Sequence, residues 1–425
     1  MAGKLKPRLL AITHDYSLSG APVVLYKGLC GLAERYQLEV AGPKDGPLRE
    51  RYAAAGVRAV VAPGLLEDPG VAARLLAGRD LLLANTIVSF LPVRAAAELG
   101  KPSLWYLHEG QFGLEFMTAF PGIEPTLPLA GCIAYPAAFC RAIYEEWRAG
   151  RWTEVLPFGV EERVAAPASG GEGLRVLQLG SIEPRKGQDV ALAALRLLKD
   201  RPVRLEVAGR TLVPQFERRL LDEFADVQAV RYLGEVGLDA AAELLRACDV
   251  LVVPSRDEVA PVVVVEAMAL GKAVVAARVG AVPEMVVDGK SGLLFDAGDA
   301  PQLAPQRQQA AGARVLERPA PAGTLELALD QGAQAAAQIG EARLAPPERR
   351  IRQRGVRARP GAVEPRQDLL VQRHHVAVLP EAARVVEARG EQRPAEFGAK
   401  QLQHVGEQRS PAAMHAQNED HAGRV

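Results

Sequence analysis

Short, nearly uninterrupted apolar runs alternate with longer, mixed ones along the first 160 residues. Residues 9–13, 38–41, 57–62, 80–85, 103–107, 131–134 and 155–157 form the short runs, the pattern of strands covered on both faces. Residues 21–36 and 47–55 carry the wider spacing of helices. Strand, helix, strand, helix, strand predicts an α/β domain built on a parallel, doubly wound, Rossmann-like sheet. The alternation restarts after residue 173, with strands expected at 174–179, 203–208, 230–233 and 250–253 and helices at 187–199, 216–224 and 239–247. Between the two sets, Ala165-Ala-Pro-Ala-Ser-Gly-Gly-Glu-Gly173 has little to bury and reads as part of a linker. The expected organisation is a Rossmann-like domain over 1–160, a linker over 161–173 and a second Rossmann-like domain over 174–298.

From about residue 299 the pattern dissolves. Residues 301–425 hold one aromatic, Phe397, one lysine, Lys400, and five of the seven histidines, and runs such as Pro305-Gln-Arg-Gln-Gln-Ala310 show no sustained period. Such a chain buries too little apolar surface to offset an ordering cost of about 1–2 kcal/mol per residue. Residues 299–425 are therefore expected to be disordered or only locally helical. Two origins stand: an out-of-frame extension replacing the last helices of the second domain, or a low-complexity interaction tail.

Composition narrows the function classes. The 51 basic and 51 acidic residues balance, so there is no electrostatic case for nucleic acid, and any phosphate must be held locally. The four cysteines, Cys30, Cys132, Cys140 and Cys248, form no C-x-x-C pair and suggest reduced core thiols rather than zinc or a disulfide framework. The first apolar run is too short for a signal sequence or a membrane span, so a cytoplasmic protein without an anchor is expected.

The candidate chemistry gathers in the second domain. After an apolar run that ends at Pro254, Ser255-Arg-Asp-Glu-Val-Ala-Pro261 reads as a loop carrying Glu258, and Pro261 suits the first position of a helix carrying Glu266. The two carboxylates are expected to converge on one cleft. Gly180-Ser-Ile-Glu-Pro-Arg-Lys-Gly187 lies between a predicted strand and a predicted helix, so Arg185 and Lys186 fall at the carboxyl end of a parallel sheet, where a diphosphate would bind. Gly280-Ala-Val-Pro-Glu284 also follows a predicted strand, and the backbone N–H groups of Gly280, Ala281 and Val282 could accept an anion. In the first domain, Ser19-Gly20-Ala21-Pro22 joins strand to helix, and Gly20 permits close backbone approach. Trp105-Tyr-Leu-His-Glu109 ends a strand and sets His108 at its rim, while His14 and Asp15 follow the first strand.

This arrangement, from Glu258 through Glu266 and Gly271 to the Gly280–Glu284 turn, resembles the donor-binding signature of retaining glycosyltransferases of family 4, over about residues 8–298. The resemblance implies a GT-B fold, two Rossmann-like domains facing across a cleft. It places Arg185 and Lys186 on the donor diphosphate and Glu266 on the ribose hydroxyls. Glu258 and His108 fall on the transferred sugar, His108 either bonding a hydroxyl or stabilising charge at the anomeric centre. Gly20 and the Gly280 turn would fall near phosphate, Arg210 near the nucleotide base, and His14 and Asp15 near the acceptor. Ser19 stands where the family commonly has a second glycine.

The implied activity is sugar transfer from a nucleoside diphosphate sugar to a sugar, lipid-linked or other hydroxyl acceptor, in polysaccharide or glycoconjugate synthesis. No cofactor and no metal are implied, and peripheral membrane association is compatible with such acceptors. Two other readings are open, a GT-B nucleotide-sugar epimerase and a non-catalytic remnant with a disrupted C-terminus. The missing family-like end further implies poor solubility and low turnover. A dinucleotide enzyme is disfavoured, because neither half shows G-x-G-x-x-G after an early strand.

Overall fold

The computed structural model describes residues 6–147, 152–160, 173–198, 202–225 and 227–304. The expectations for the linker over 161–172 and for the tail from 305 onward lie outside the described residues.

Two parallel sheets carry the fold. The first comprises β1 (Arg8–Ile12), β2 (Gln37–Gly42), β3 (Arg58–Val61), β4 (Leu81–Asn85), β5 (Ser103–Tyr106), β6 (Cys132–Tyr135) and β7 (Thr153–Val155), in the order 3-2-1-4-5-6-7. The second comprises β8 (Leu174–Leu179), β9 (Val203–Ala208), β10 (Val230–Gly234), β11 (Val250–Val253), β12 (Ala273–Ala277) and β13 (Leu293–Phe295), in the order 10-9-8-11-12-13. The continuous apolar runs are the reason for this arrangement. Every residue of β11 is buried, as is every residue of β5 and β6, so both faces need cover, and helical crossovers supply it.

The crossovers of the first sheet are α1 (Gly20–Cys30), α2 (Pro47–Ala54), α3 (Pro69–Leu76), α4 (Phe90–Glu98), α5 (Phe112–Ala119) and α6 (Ala138–Ile143). Those of the second are α7 (Gln188–Arg196), α8 (Pro214–Ala225), α9 (Leu238–Ala247), α10 (Val262–Ala269) and α11 (Val282–Met285). Helix α8 shows the logic plainly: Phe216, Leu220 and Phe224 are its buried residues, one per turn, and the charged residues between them stay outside. Helix α10 goes the other way, since its run of four β-branched valines has strand propensity. Burial of Val264, Ala267 and Met268 against the second sheet makes it helical.

Four boundaries differ from the sequence expectation. Helix α1 stops at Cys30 rather than near 36, where Gly31 weakens the helix and isolated turn bonds such as Leu32 N–H to Leu29 O replace it. The last strand of the first sheet sits at 153–155, two residues early. Pro261 is the residue before α10 rather than its first helical position, with an extended backbone, and its carbonyl accepts from Val264 N–H. The second core also runs past residue 298: residues 300–304 are helical, and Ala300, Leu303 and Ala304 are buried with Val250, Val275 and Phe295.

In each sheet the strand order reverses once, between β1 and β4 and between β8 and β11. Ligands of open α/β sheets bind outside the carboxyl ends of strands at such reversals, where adjacent crossovers depart to opposite faces. The loops after β8 and β11 hold Arg185, Lys186 and Glu258, while Gly20 opens the helix after β1 and Asn85 ends β4.

Candidate active site

The loop after β8 is folded tightly. Pro184–Lys186 form a single 3-10 turn, and Gly187 closes it with φ +66°, where a Cβ would stand 2.0 Å from the Pro254 carbonyl oxygen. Only glycine lets the two loops approach this closely. Arg256, one residue beyond Ser255, locks them together. Its guanidinium forks onto Asp189 at 2.9 and 2.7 Å and donates to Pro184 O at 2.7 Å, while its backbone N–H reaches Arg185 O. Burial pushes the Asp189 carboxyl up, but the Arg256 fork together with the backbone N–H groups of Asp189 and Val190 holds it below the usual range.

That lock fixes the two cations. Lys186 Nζ donates to Glu258 Oε1 at 2.6 Å, and Ser255 Oγ donates to the same oxygen at 2.7 Å. Glu258 is only 5% exposed, so its Oε1 is satisfied by these two side-chain donors rather than by bulk water. A lysine has three N–H donors, so one bond to Glu258 leaves two for an incoming anion. Arg185 reaches Asp257 O at 3.2 Å and Glu183 Oε1 at 3.0 Å and remains substantially exposed.

Glu266 is held differently. Its Oε1 accepts from Lys27 Nζ on α1, so a first-sheet helix supplies the partner of the second carboxylate. The two glutamates expected to converge are thus paired with two different lysines, one from each half. In the Gly280 turn two of the three expected anion donors are already engaged: Ala281 N–H donates to Val259 O at 2.9 Å and Val282 N–H to Val279 O at 3.1 Å. An anion bound through those two groups must displace or share their bonds, because the turn packs directly on the Glu258 loop. Gly20 opens α1, and a Cβ there would meet no protein atom within 4 Å. Arg210 is exposed after β9, and its carbonyl accepts from Ile182 N–H.

On the first sheet, His108 follows β5, with its ring stacked on Phe158 at 5.5 Å and tilted against Tyr106. Its Nε2 lies 2.6 Å from Asn85 Oδ1, and the Asn85 amide group donates to Ala21 O. The Asn85 oxygen therefore accepts, which makes Nε2 the protonated nitrogen and leaves Nδ1 as an acceptor. Burial, with His14 nearby, pulls the His108 pKa down to about 3, so the ring is neutral at physiological pH. A neutral ring can exchange hydrogen bonds but carries no positive charge. His14 is likewise held below its usual value, chiefly by burial, and lies 3.7 Å from Asp15.

Glu109 serves the scaffold. One carboxylate oxygen accepts from Ile87 N–H and His108 N–H, both at 3.0 Å, tying the loop after β4 to the end of β5. Burial outweighs these bonds and pushes its pKa up from 4.5 to about 7. The folded state thus retains a proton that the unfolded chain releases, so Glu109 adds stability below about pH 4.5 that is lost as pH rises through 7. Glu109→Gln should remove this decline, seen as a flatter dependence of Tm on pH between 5 and 7.5 than in the wild type.

Lys27, Asn85, Ser255 and the Arg256–Asp189 fork were not singled out by the sequence. Only Ser255 and Arg256, inside the Glu258 loop, carried any local signal.

Two parallel sheets of Rossmann type, with charged loops at their reversals, define a GT-B protein. Residues 173–310 match the family model described as Glycosyl transferases group 1. Among curated proteins, the D-inositol 3-phosphate glycosyltransferase of Acidothermus cellulolyticus is 34% identical over 184 residues, which cover 38% of this chain and 40% of that protein. The chain therefore spans well under half the length of this relative. Among solved structures, Anabaena HepE in complex with UDP-glucose superposes with TM-score 0.63 at 20% identity, covering 79% of this chain and 98% of that one. Sucrose-phosphate synthase from Thermosynechococcus elongatus gives 0.58 at 19% identity, covering 82% and 100%. These likenesses establish the fold. Among the described residues, no helix is long and apolar enough to cross a membrane.

Proposed function

We propose that the protein is a retaining glycosyltransferase that moves a sugar from a nucleoside diphosphate sugar to a hydroxyl acceptor in cytoplasmic polysaccharide or glycoconjugate synthesis. The observation that carries this reading is the Lys186–Glu258 pair beside Arg185 at the reversal of the second sheet. It offers two cations for a diphosphate and a buried carboxylate for the sugar attached to it. The transferase names of the curated relatives favour transfer over epimerisation, and the UDP-glucose bound to HepE makes uridine diphosphate the first base to try.

In the proposed step, the bond between C1 and the diphosphate oxygen breaks with its electron pair leaving on the diphosphate. Lys186 and Arg185 stabilise that charge in place and so lower the barrier. The acceptor oxygen bonds C1 on the same face, and its proton passes to the departing diphosphate oxygen. His108 accepts from a sugar hydroxyl through Nδ1, and Glu258 orients the ring. A lipid-linked acceptor would bring the protein to a membrane surface peripherally.

Glu266 must exchange Lys27 for the ribose hydroxyls when the donor binds. Lys27→Ala should therefore tighten uridine diphosphate binding roughly two- to fivefold, the worth of one partly exposed ion pair, as measured by calorimetry. The reading itself is tested by following UDP-glucose and a panel of sugar acceptors by proton NMR. A product with the donor's α-configuration supports it. A β-linked product, or epimerised donor without transfer, opposes it.

A further inference from the structure

Helix α6 begins without a cap of its own. Its N-cap residue is Ala137, which makes no side-chain cap bond, yet its first two N–H groups are bonded. Glu284, from the other half of the molecule, supplies both partners: Oε2 accepts from Ala138 N–H at 2.8 Å and Oε1 from Phe139 N–H at 2.6 Å. Glu284 closes the same short turn that begins at Gly280, and that turn is packed on the Glu258 loop through Ala281 N–H and the Val259 carbonyl. Val259 continues the contact into the first half, where it packs beside Gly110 and on the core around Tyr135 and Tyr144.

We propose that Glu284 is a positioning residue for sugar transfer, a two-pronged latch that caps α6 in trans and sets the first half, with His108, over the donor held by the second. This rests on the reading of the Glu258 loop and Gly280 turn as the donor side of the site. A helix start with four unpaired N–H groups and no Ser, Thr, Asp or Asn before it is incomplete until the latch closes. Closure and donor binding then share one turn of chain, so the order of the donor loop is passed to the first half.

The full-length protein, Glu284→Ala, Ala138→Pro and the double variant provide the test. Proline is tolerated at the first position of a helix, and Ala137 already has the extended backbone that a following proline requires, so Ala138→Pro removes one donor without touching Glu284. Hydrogen exchange of the Ala138 and Phe139 amides, without ligand, reports the latch directly. Glu284→Ala should speed it roughly three- to tenfold, the scale of a lost cap. In steady-state transfer, Glu284→Ala should lower kcat by a similar factor while donor KM moves less than about twofold. Ala138→Pro should have a smaller effect of the same kind, and the double variant should match Glu284→Ala. Unchanged exchange at both amides, or additive losses in the double variant, would overturn the latch. Absence of any uridine diphosphate binding or transfer by the wild type would count against the functional reading, while the exchange experiment would still decide the latch.

Discussion

Lys186→Ala is expected to lower kcat/KM for the nucleotide sugar by about 10²–10³, the usual cost of removing one preorganised charge at a leaving group. The structure makes the substitution harsher than loss of a surface cation. Glu258 is buried, and Lys186 and Ser255 are the partners of its Oε1, so removing the ammonium leaves a carboxylate with a single hydroxyl donor. An unpaired buried charge costs about 3–5 kcal/mol, and the partial exposure of Lys186 puts this site at the low end. The two effects separate in a second variant. Adding Glu258→Gln to Lys186→Ala should restore much of the lost Tm, because a neutral amide needs no cation, and should restore no activity. Joint recovery of stability and activity would mean that Lys186 acts only as a counter-ion.

Gly280→Ala should be the most damaging small substitution in the second half. The backbone there has φ +54°, which costs an alanine about 1–2 kcal/mol, and a Cβ would stand 1.6 Å from the Glu258 carbonyl oxygen. No side chain can move to relieve this, since the obstructing atom is backbone. The Gly280 turn must withdraw from the Glu258 loop, breaking the Ala281 N–H to Val259 O bond and carrying Glu284 away from α6. The expected result is a fall in Tm of about 5 °C or more, with loss of transfer. A variant that melts and turns over like the wild type would show that the two loops are not in register as described.

Most of the fold was legible because parallel strands covered on both faces leave a signal that needs no partner to be read. The VLVV of β11 and the LLLA of β4 are apolar whatever surrounds them. The two Rossmann-like halves, the Glu258 loop and the Arg185–Lys186 turn followed from where those runs end. Helix ends were less legible, since Gly31 and Pro261 each fit two registers, and local propensity does not choose between them. The extension of the second core to 300–304 was missed because three small or aliphatic residues among Pro and Gln show no period until Phe295 is there to receive them.

The partners in the site were the least legible. Nothing near Lys27 in the sequence points to Glu266, 239 positions away, and nothing near Ala138 points to Glu284. These pairs exist only once two sheets are brought together. The Gly280 turn shows the converse case. Its strand-turn-helix order suggested vacant N–H donors, but the Val259 carbonyl already occupies the one on Ala281.

The central claim is that Lys186, Arg185, Glu258 and Glu266 form a site for a nucleoside diphosphate sugar. Thermal-shift titration of the full chain with uridine, guanosine and adenosine diphosphates tests it most directly, because binding to the folded state stabilises by RT ln(1 + [L]/Kd). The account predicts a saturable rise in Tm with one of the three, abolished in Lys186→Ala and weakened in Glu266→Ala. A cooperative melt that no nucleotide moves, or a shift that survives both substitutions, would contradict it.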